Sequence, residues 1–304
     1  MNDRGLTRRQ FIRTSAALTG VAVLSGGIAG GETPPATAAA ARTATDQVAL
    51  GKTGIMLSRV GIGTGANNGR PVVTKGKEHF LKLIRHAWDS GITYIDCAKQ
   101  YATFDWIGES IKDLPREKLF IQSKVWGQPD DIMATIDMHR STFKVDYIDS
   151  LLVHCMTRPK WTDQWKRIMD GFDQAKEKKW IRAKGVSCHT LPALQDAAEK
   201  EWSEVHLVRI NPKGQFMDGV RDQWGGNATP VDPVLDQIKA VHEKGRGVIG
   251  MKIFGNGTFT EAKDREESVR FSLSNPNIDA IVIGMESVEQ IDENLTMINR
   301  ALAA

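Results

Sequence analysis

A parallel (β/α)8 barrel, the TIM-barrel type of α/β fold, is what the sequence predicts, on three observations. Short apolar runs alternate with helical periods eight times along the chain. The apolar runs are continuous rather than alternating, as strands covered on both faces require. Eight such units fill about 245 residues, the size at which a parallel sheet closes on itself.

The elements follow in order. Val48 to Val60, "VALGKTGIMLSRV", alternates around Lys52-Thr53-Gly54 and reads as a β-hairpin closing the bottom of the barrel. The strands are "RVGIGT", "TYIDCA", "LFIQSKV", "YIDSLLVHC", "AKGVSCH", "VHLVRIN", "GVIGMKIF" and "DAIVIGM". Amphipathic stretches such as "KEHFLKLIRHAWDSG", "DDIMATIDMHRSTFK" and "DPVLDQIKAVHEKG" separate them, with Gly91 and Gly245 at C-cap positions. The barrel domain is thus expected over residues 48–304. "GIGTGA", Gly61 to Ala66, matches the dinucleotide pattern G-x-G-x-x-G/A, but that fingerprint needs a helix directly after it. Here "NNGRP" follows, with Gly69 and Pro71, so the match reads as a decoy and the open-sheet alternative loses its main support.

Residues 1–41 have a different composition. Thr7-Arg8-Arg9-Gln10-Phe11-Ile12-Arg13 precedes an acid-free apolar run, and alanine-rich "PPATAAAA" offers small residues for cleavage. The order resembles a twin-arginine export signal, which implies the Tat machinery as a partner and a periplasmic or secreted location. The apolar run from Ala16 to Ala29 is short and glycine-rich, so no stable membrane span is expected. Removing residues 1–40 takes away four arginines, Asp3 and Glu32, bringing the formal charge from +3 to about +1. No basic tract with interleaved aromatics occurs, which argues against nucleic-acid binding. The three cysteines, Cys97, Cys155 and Cys188, show no metal-finger spacing and no C-x-x-C, so neither a metal centre nor a disulfide framework is expected.

In a parallel barrel, chemistry gathers at the C-terminal strand ends. Those ends carry Asp96 with Tyr101 just beyond, Lys124, His154, Ser187, Arg209 with Asn211, and Lys252 followed by "FGNGT". An ammonium beside a phenol stabilises phenolate, a buried lysine needs a carboxylate, and a histidine can direct a carbonyl oxygen. Together Tyr101, Lys124, Asp96 and His154 make an acid for protonating an oxygen as its carbon gains a hydride. Taken singly, each of the four also fits an ordinary cap, snorkelling or packing role. A metal-dependent hydrolase built on His154, His189 and Asp96 is the rival chemistry, but it lacks paired histidines at ligand spacing.

The sequence also resembles a family. "D-x-A-x-x-Y" (Asp96, Ala98, Tyr101), "IGE" at Ile107 to Glu109, "SK" at Ser123-Lys124 and "LLVH" at Leu151 to His154 look like the aldo-keto reductases. "LGKTGIMLSRVGIGTG" is similar to their opening hairpin and first strand, and "KGVS" at Lys184 to Ser187 to their fifth. The resemblance, from about Leu50 to the last helix, implies NADP or NAD bound across the rim without a Rossmann fold. It implies a small carbonyl or alcohol substrate, Tyr101 as general acid, Lys124 and Asp96 tuning it, and His154 orienting the carbonyl. It places the cofactor near Ser187, Cys188, Arg209, Phe254, Gly255, Gly257, Gly284, Gln290 and Asn294, with backbone N–H groups of "FGNGT" and "GMESVEQ" available to phosphate.

The sequence departs from the family at the cofactor end. Cys188 and His189 stand where an asparagine is usual, and an apolar residue around Val208 replaces a glutamine. Gly284 and Gln290 fall where a lysine and an arginine usually grip a 2′-phosphate. A nucleotide-binding sensor without turnover therefore stays open as the alternative function. Strand alternation predicts that Cys97 and Cys155 pack outside the lumen, with Cys188 undecided. The chain stops at Ala304 directly after the last helix, which predicts an open pocket; Trp126, Trp161, Trp165 and Trp224 are candidates for its apolar walls.

Overall fold

The computed structural model describes residues 42–217 and 228–303; the leader and Trp224 lie outside them. The hairpin strands β1 (Gln47–Ala49) and β2 (Met56–Ser58) pair antiparallel, with Val48 opposite Leu57. Eight parallel strands follow and close: β3 (Val60–Gly63), β4 (Tyr94–Asp96), β5 (Phe120–Val125), β6 (Ile148–Met156), β7 (Ile181–Cys188), β8 (Val205–Arg209), β9 (Gly247–Met251) and β10 (Ala280–Gly284). Strand β10 pairs back onto β3, so the sheet has no free edge.

Among the described residues, eight helices alternate with the strands, besides single helical turns at Arg70–Val73 and Trp161–Gln164: α1 (Lys77–Asp89), α2 (Ile107–Ser110), α3 (Ile132–Phe143), α4 (Lys166–Glu177), α5 (Leu191–Glu199), α6 (Asp232–Glu243), α7 (Ala262–Ser274) and α8 (Val288–Ala303). Their ends follow local chemistry. Asp131 caps α3 by accepting from Ala134 N at 2.8 Å, and Thr190 caps α5 through Ala193 N. Gly91 and Gly245 take φ of 92° and 78° just past α1 and α6, as their C-cap positions require. The stretch after "GIGTGA" forms only single turns, with Asn67 and Asn68 at positive φ, so it lacks the helix a dinucleotide fingerprint needs.

Two apolar layers hold the barrel. The larger lies between strands and helices; the smaller fills the lumen with Tyr94, Phe120, Leu152, Val205, Leu207 and Ile249. Leu50, Ile55 and Leu57 of the hairpin belong to that inner layer, so the hairpin does close the bottom. Each aliphatic side chain so buried contributes about 1.5–3 kcal/mol. Asp279 fastens the closure by accepting from Gly51 N and Val248 N at 3.2 and 2.8 Å. The plugged lower end leaves the opposite rim as the place where polar side chains meet.

Candidate active site

At the end of β4, Asp96 turns its carboxylate inward. Lys124, one strand over on β5, reaches it with Nζ 2.7 Å from Oδ1 and donates to Cys97 O at 2.8 Å. Both side chains are almost completely buried, which makes each the other's necessary counter-charge. Burial opposes the Lys124 ammonium, but Asp96 and then Tyr101 more than offset it, and the pKa is raised. Lys124 is therefore a fixed cation inside the barrel mouth.

Tyr101, on the loop after β4, lies over this pair, with Lys124 Nζ 5.1 Å from its ring centroid. Its pKa departs from the simple expectation of a lowered value. Burial pushes the phenol up to about 12; Lys124 pulls it down, while Asp96 pushes it further up. Desolvation thus outweighs the neighbouring ammonium, and the phenol is fully protonated at neutral pH. An acid must hold its proton to donate it, so this suits oxygen protonation and opposes the reverse step.

His154, near the end of β6, stacks edge-on against Tyr101 at 5.9 Å and against Trp126 at 5.5 Å. Burial, and then Lys124, hold its pKa well below the usual imidazole range, so it is neutral. Its Nδ1 is 3.3 Å from Oε1 of the exposed Gln100. A half-turn of that amide exchanges acceptor for donor, so Gln100 can accommodate either tautomer of the ring. The four predicted side chains therefore do converge on one rim.

Beneath them lies a residue the sequence reading did not single out. Gln122 on β5 donates to Asp96 Oδ1 at 2.9 Å and to the Tyr94 hydroxyl at 2.8 Å. The amide nitrogen must face Asp96, because an ionised carboxylate only accepts. A glutamine in an apolar strand run was the available signal.

The fourth and fifth strand ends correct two readings. The β6–β7 register shifts between Val153 and Met156, and Cys155 sits there with φ 64°. This irregularity interrupts strand alternation. Cys155 consequently faces the rim, its Sγ 3.1 Å from His189 Nδ1, rather than the strand–helix layer. Cys97 does pack in that layer, and so does Cys188, among Leu191, Leu194 and Val208. The Cys188 side chain points away from the rim and cannot grip a cofactor; alternation gives that place to Ser187 and His189.

Ser187 Oγ accepts from Cys155 N at 3.2 Å. Arg209 spends its guanidinium on Phe216 O at 2.9 Å and His189 Nδ1 at 2.5 Å. A guanidinium has no acceptor, so His189 Nδ1 must be unprotonated and the neutral ring carries its proton on Nε2. Burial first, then Arg209, His154, Lys252 and Lys124, hold His189 well below its ordinary pKa. Arg209 thus orients His189 rather than facing the pocket alone.

At the seventh and eighth strand ends, the expected free amides are largely committed. Gly255 N and Gly257 N bond to Lys252 O and Phe254 O, both at 2.9 Å, inside a tight turn that Lys252 closes through Asn256 Oδ1. Phe254 is half-buried against the outer layer. Gln290 accepts from Glu286 N at 2.8 Å, capping the turn before its own helix. Asn294 is half-exposed on α8, and Gly284 is exposed at the rim beside Gly63. Of the tryptophans, Trp126 stands at the rim, 49% exposed, while Trp161 is buried in the outer layer and Trp165 packs against it.

Among the described residues, no group of three His, Cys, Asp or Glu side chains is placed to hold a metal ion. Among them, too, no helix is long and apolar enough to cross a membrane.

The chain is similar to known proteins in sequence and in fold. Glycerol 2-dehydrogenase (NADP(+)) of Hypocrea jecorina is 36% identical over 192 residues, covering 53% of this chain and 58% of that enzyme. Glyoxal reductase of Bacillus subtilis is 30% identical over 232 residues, covering 69% of this chain and 81% of that enzyme. The holo form of an aldo-keto reductase from Bacillus halodurans superposes with a TM-score of 0.67 at 14% identity, covering 86% of this chain and 97% of that one. The aldo/keto reductase family profile matches residues 59–272, and the chain belongs to that family.

Proposed function

We propose that the protein reduces an aldehyde or ketone with NADPH or NADH by hydride transfer, Tyr101 delivering the proton. The buried Lys124–Asp96 pair under the Tyr101 phenol is the observation that carries this reading. Two of the relatives are named for glycerol and glyoxal, which points to substrates of that size.

The rim fits a nicotinamide nucleotide in part. Ser187 and the Nε2–H of His189 provide polar groups where the family asparagine would sit. Gly63, Ala66 and Gly284 keep the β3–β10 side of the rim small; a Cβ at Gly284 would fall 3.0 Å from Ala66 Cβ. Gly284 and Gln290 supply no cation for a 2′-phosphate, so the fit does not favour NADP over NAD.

When bound, the reduced nicotinamide supplies a hydride to the carbonyl carbon. The chain's own groups deal with the oxygen. His154 directs it, and Tyr101 donates its phenolic proton as negative charge develops there. Lys124 then holds the phenolate, its charge balanced by Asp96, until solvent returns a proton. Such positioned acid catalysis supplies roughly 10²–10⁴-fold in rate.

Loss of NADPH or NADH absorbance with a panel including glyoxal and glyceraldehyde tests the reading. Turnover supports it. Tight nucleotide binding without turnover on any carbonyl would instead favour a sensor or binding module, for which the unusual Cys188-His189 sequence is the motive.

The twin-arginine signature further suggests that the folded protein is exported to the periplasm or beyond, carrying its cofactor. Retention at trace nucleotide would need a Kd near nanomolar, about 12 kcal/mol of binding. Changing Arg8 and Arg9 together to lysine should abolish export of the full chain. Denaturing the exported protein should release NAD or NADP; an empty protein with micromolar affinity would remove the carried-cofactor idea alone.

A further inference from the structure

Gly65 ends the "GIGTG" stretch whose dinucleotide reading failed, and its backbone gives no reason for a glycine. Its φ and ψ are −106° and 5°, open to any residue. The reason is Tyr101. A Cβ built on Gly65 falls 2.3 Å from both Cε2 and Cζ of that ring and 2.8 Å from its hydroxyl oxygen. The phenol therefore lies directly on the Gly65 backbone.

Neither side of this contact can easily retreat. Thr64 donates from both N and Oγ1 to Asp96 O, each at 3.0 Å. Asn68 N bonds to Gly65 O at 3.0 Å, and Ala102 N to Asn68 O at 2.9 Å. Thr103 Oγ1 donates to Thr64 O at 3.3 Å. The loop carrying Gly65 is thus tied to the segment that carries both Asp96 and Tyr101. On its other flanks the ring has Lys124 Nζ and the His154 imidazole.

We propose that Gly65 is a positioning residue for proton transfer: the missing side chain is the seat that fixes the Tyr101 hydroxyl against Lys124 and His154. This rests on the reductase reading for its kinetic consequence, though the seat itself is a matter of packing. A methyl at this position displaces the ring by about an ångström, and a misplacement of that size costs on the order of 100-fold in rate.

The test is Gly65→Ala in the full chain, compared with the parent for carbonyl reduction, nucleotide affinity and thermal unfolding. The expected result is a kcat about 100-fold lower, with the fluorescence-measured Kd for NADPH and NADH within about twofold. Unchanged kcat overturns the proposal, and so does a loss that lies wholly in nucleotide affinity. A stability cycle with Tyr101→Ala provides a readout independent of turnover. Gly65→Ala should lower the melting temperature when Tyr101 is present and leave it unchanged when the ring is gone. If Gly65→Ala alone fails to fold, Gly65→Ala with Tyr101→Ala should fold; failure of both overturns the seat. A parent protein that reduces no carbonyl would sink the reductase reading and the kinetic claim with it, while the stability cycle would still report the contact.

Discussion

Gln122 donates to the same Asp96 oxygen that Lys124 holds: Nε2 and Nζ are 2.9 and 2.7 Å from Oδ1. The carboxylate charge is thereby shared between a neutral donor and an ammonium, and Tyr94 extends the chain into the barrel interior. Gln122→Met keeps the volume and removes the donor. It should destabilise the fold by about 1–3 kcal/mol through the unpaired polar groups left behind. It should also lower kcat several-fold, because Asp96 is then held from one side only. Urea unfolding and steady-state kinetics measure the two effects.

Tyr101→Phe keeps the ring on Gly65 but removes the proton. Carbonyl reduction should fall by roughly 10³-fold while nucleotide affinity stays near the parent value. Retained turnover would remove Tyr101 from the chemistry.

The raised pKa of Tyr101 gives the two reaction directions different pH profiles. With the phenol pushed up to about 12, the protonated form prevails throughout the neutral range, so this group leaves reduction flat there. Alcohol oxidation needs the phenolate, whose fraction grows about tenfold per pH unit below the pKa. Its rate should therefore climb from pH 7 to beyond pH 9, and a plateau already at neutral pH would contradict the assignment.

Two histidines remote from the rim predict loss of stability in acid. His139, bonded to Ser123, and His206, bonded to Ser203, are both fully buried, and burial lowers each to about 3. Their folded values lie below the ordinary imidazole value, so the unfolded chain takes up protons first. Stability is whole above about pH 6.5 and is lost as pH falls from there toward 3. Urea midpoints at pH 7.5 and 5 should show the decline, and His139→Asn should weaken it.

Asp149, completely buried near the start of β6, accepts from Arg116 Nη2, Arg182 Nη1 and Ile121 N. Asp149→Ala strands the partly buried Arg116 and should cost about 3 kcal/mol, with kcat little changed because the residue is far from the rim. A thermal melt alongside an activity assay separates the two.

Much of the fold was legible because its signals are local. An unbroken apolar strand such as "LLVH" needs cover on both faces, and the hairpin at Leu50 to Leu57 announces its own turn. Asp96, Tyr101, Lys124 and His154 were legible as a group because parallel strands put every strand end on one rim. The "GIGTGA" match could be set aside from the sequence, since Gly69 and Pro71 forbid the helix it needs.

What only the tertiary structure decided depends on partners far apart in sequence. Gln122 and Tyr94 are unremarkable strand residues until closure brings them under Asp96. Cys155 changes sides because one irregular step between β6 and β7 resets the alternation, and no neighbour in the sequence signals it. The tautomer of His189 follows from Arg209, twenty positions away on another strand. The rise in the Tyr101 pKa reverses the expectation drawn from Lys124 alone, because desolvation is a property of the whole surrounding volume. Sequence order determined which groups reach the rim; packing decided which way they face and how readily they give up a proton.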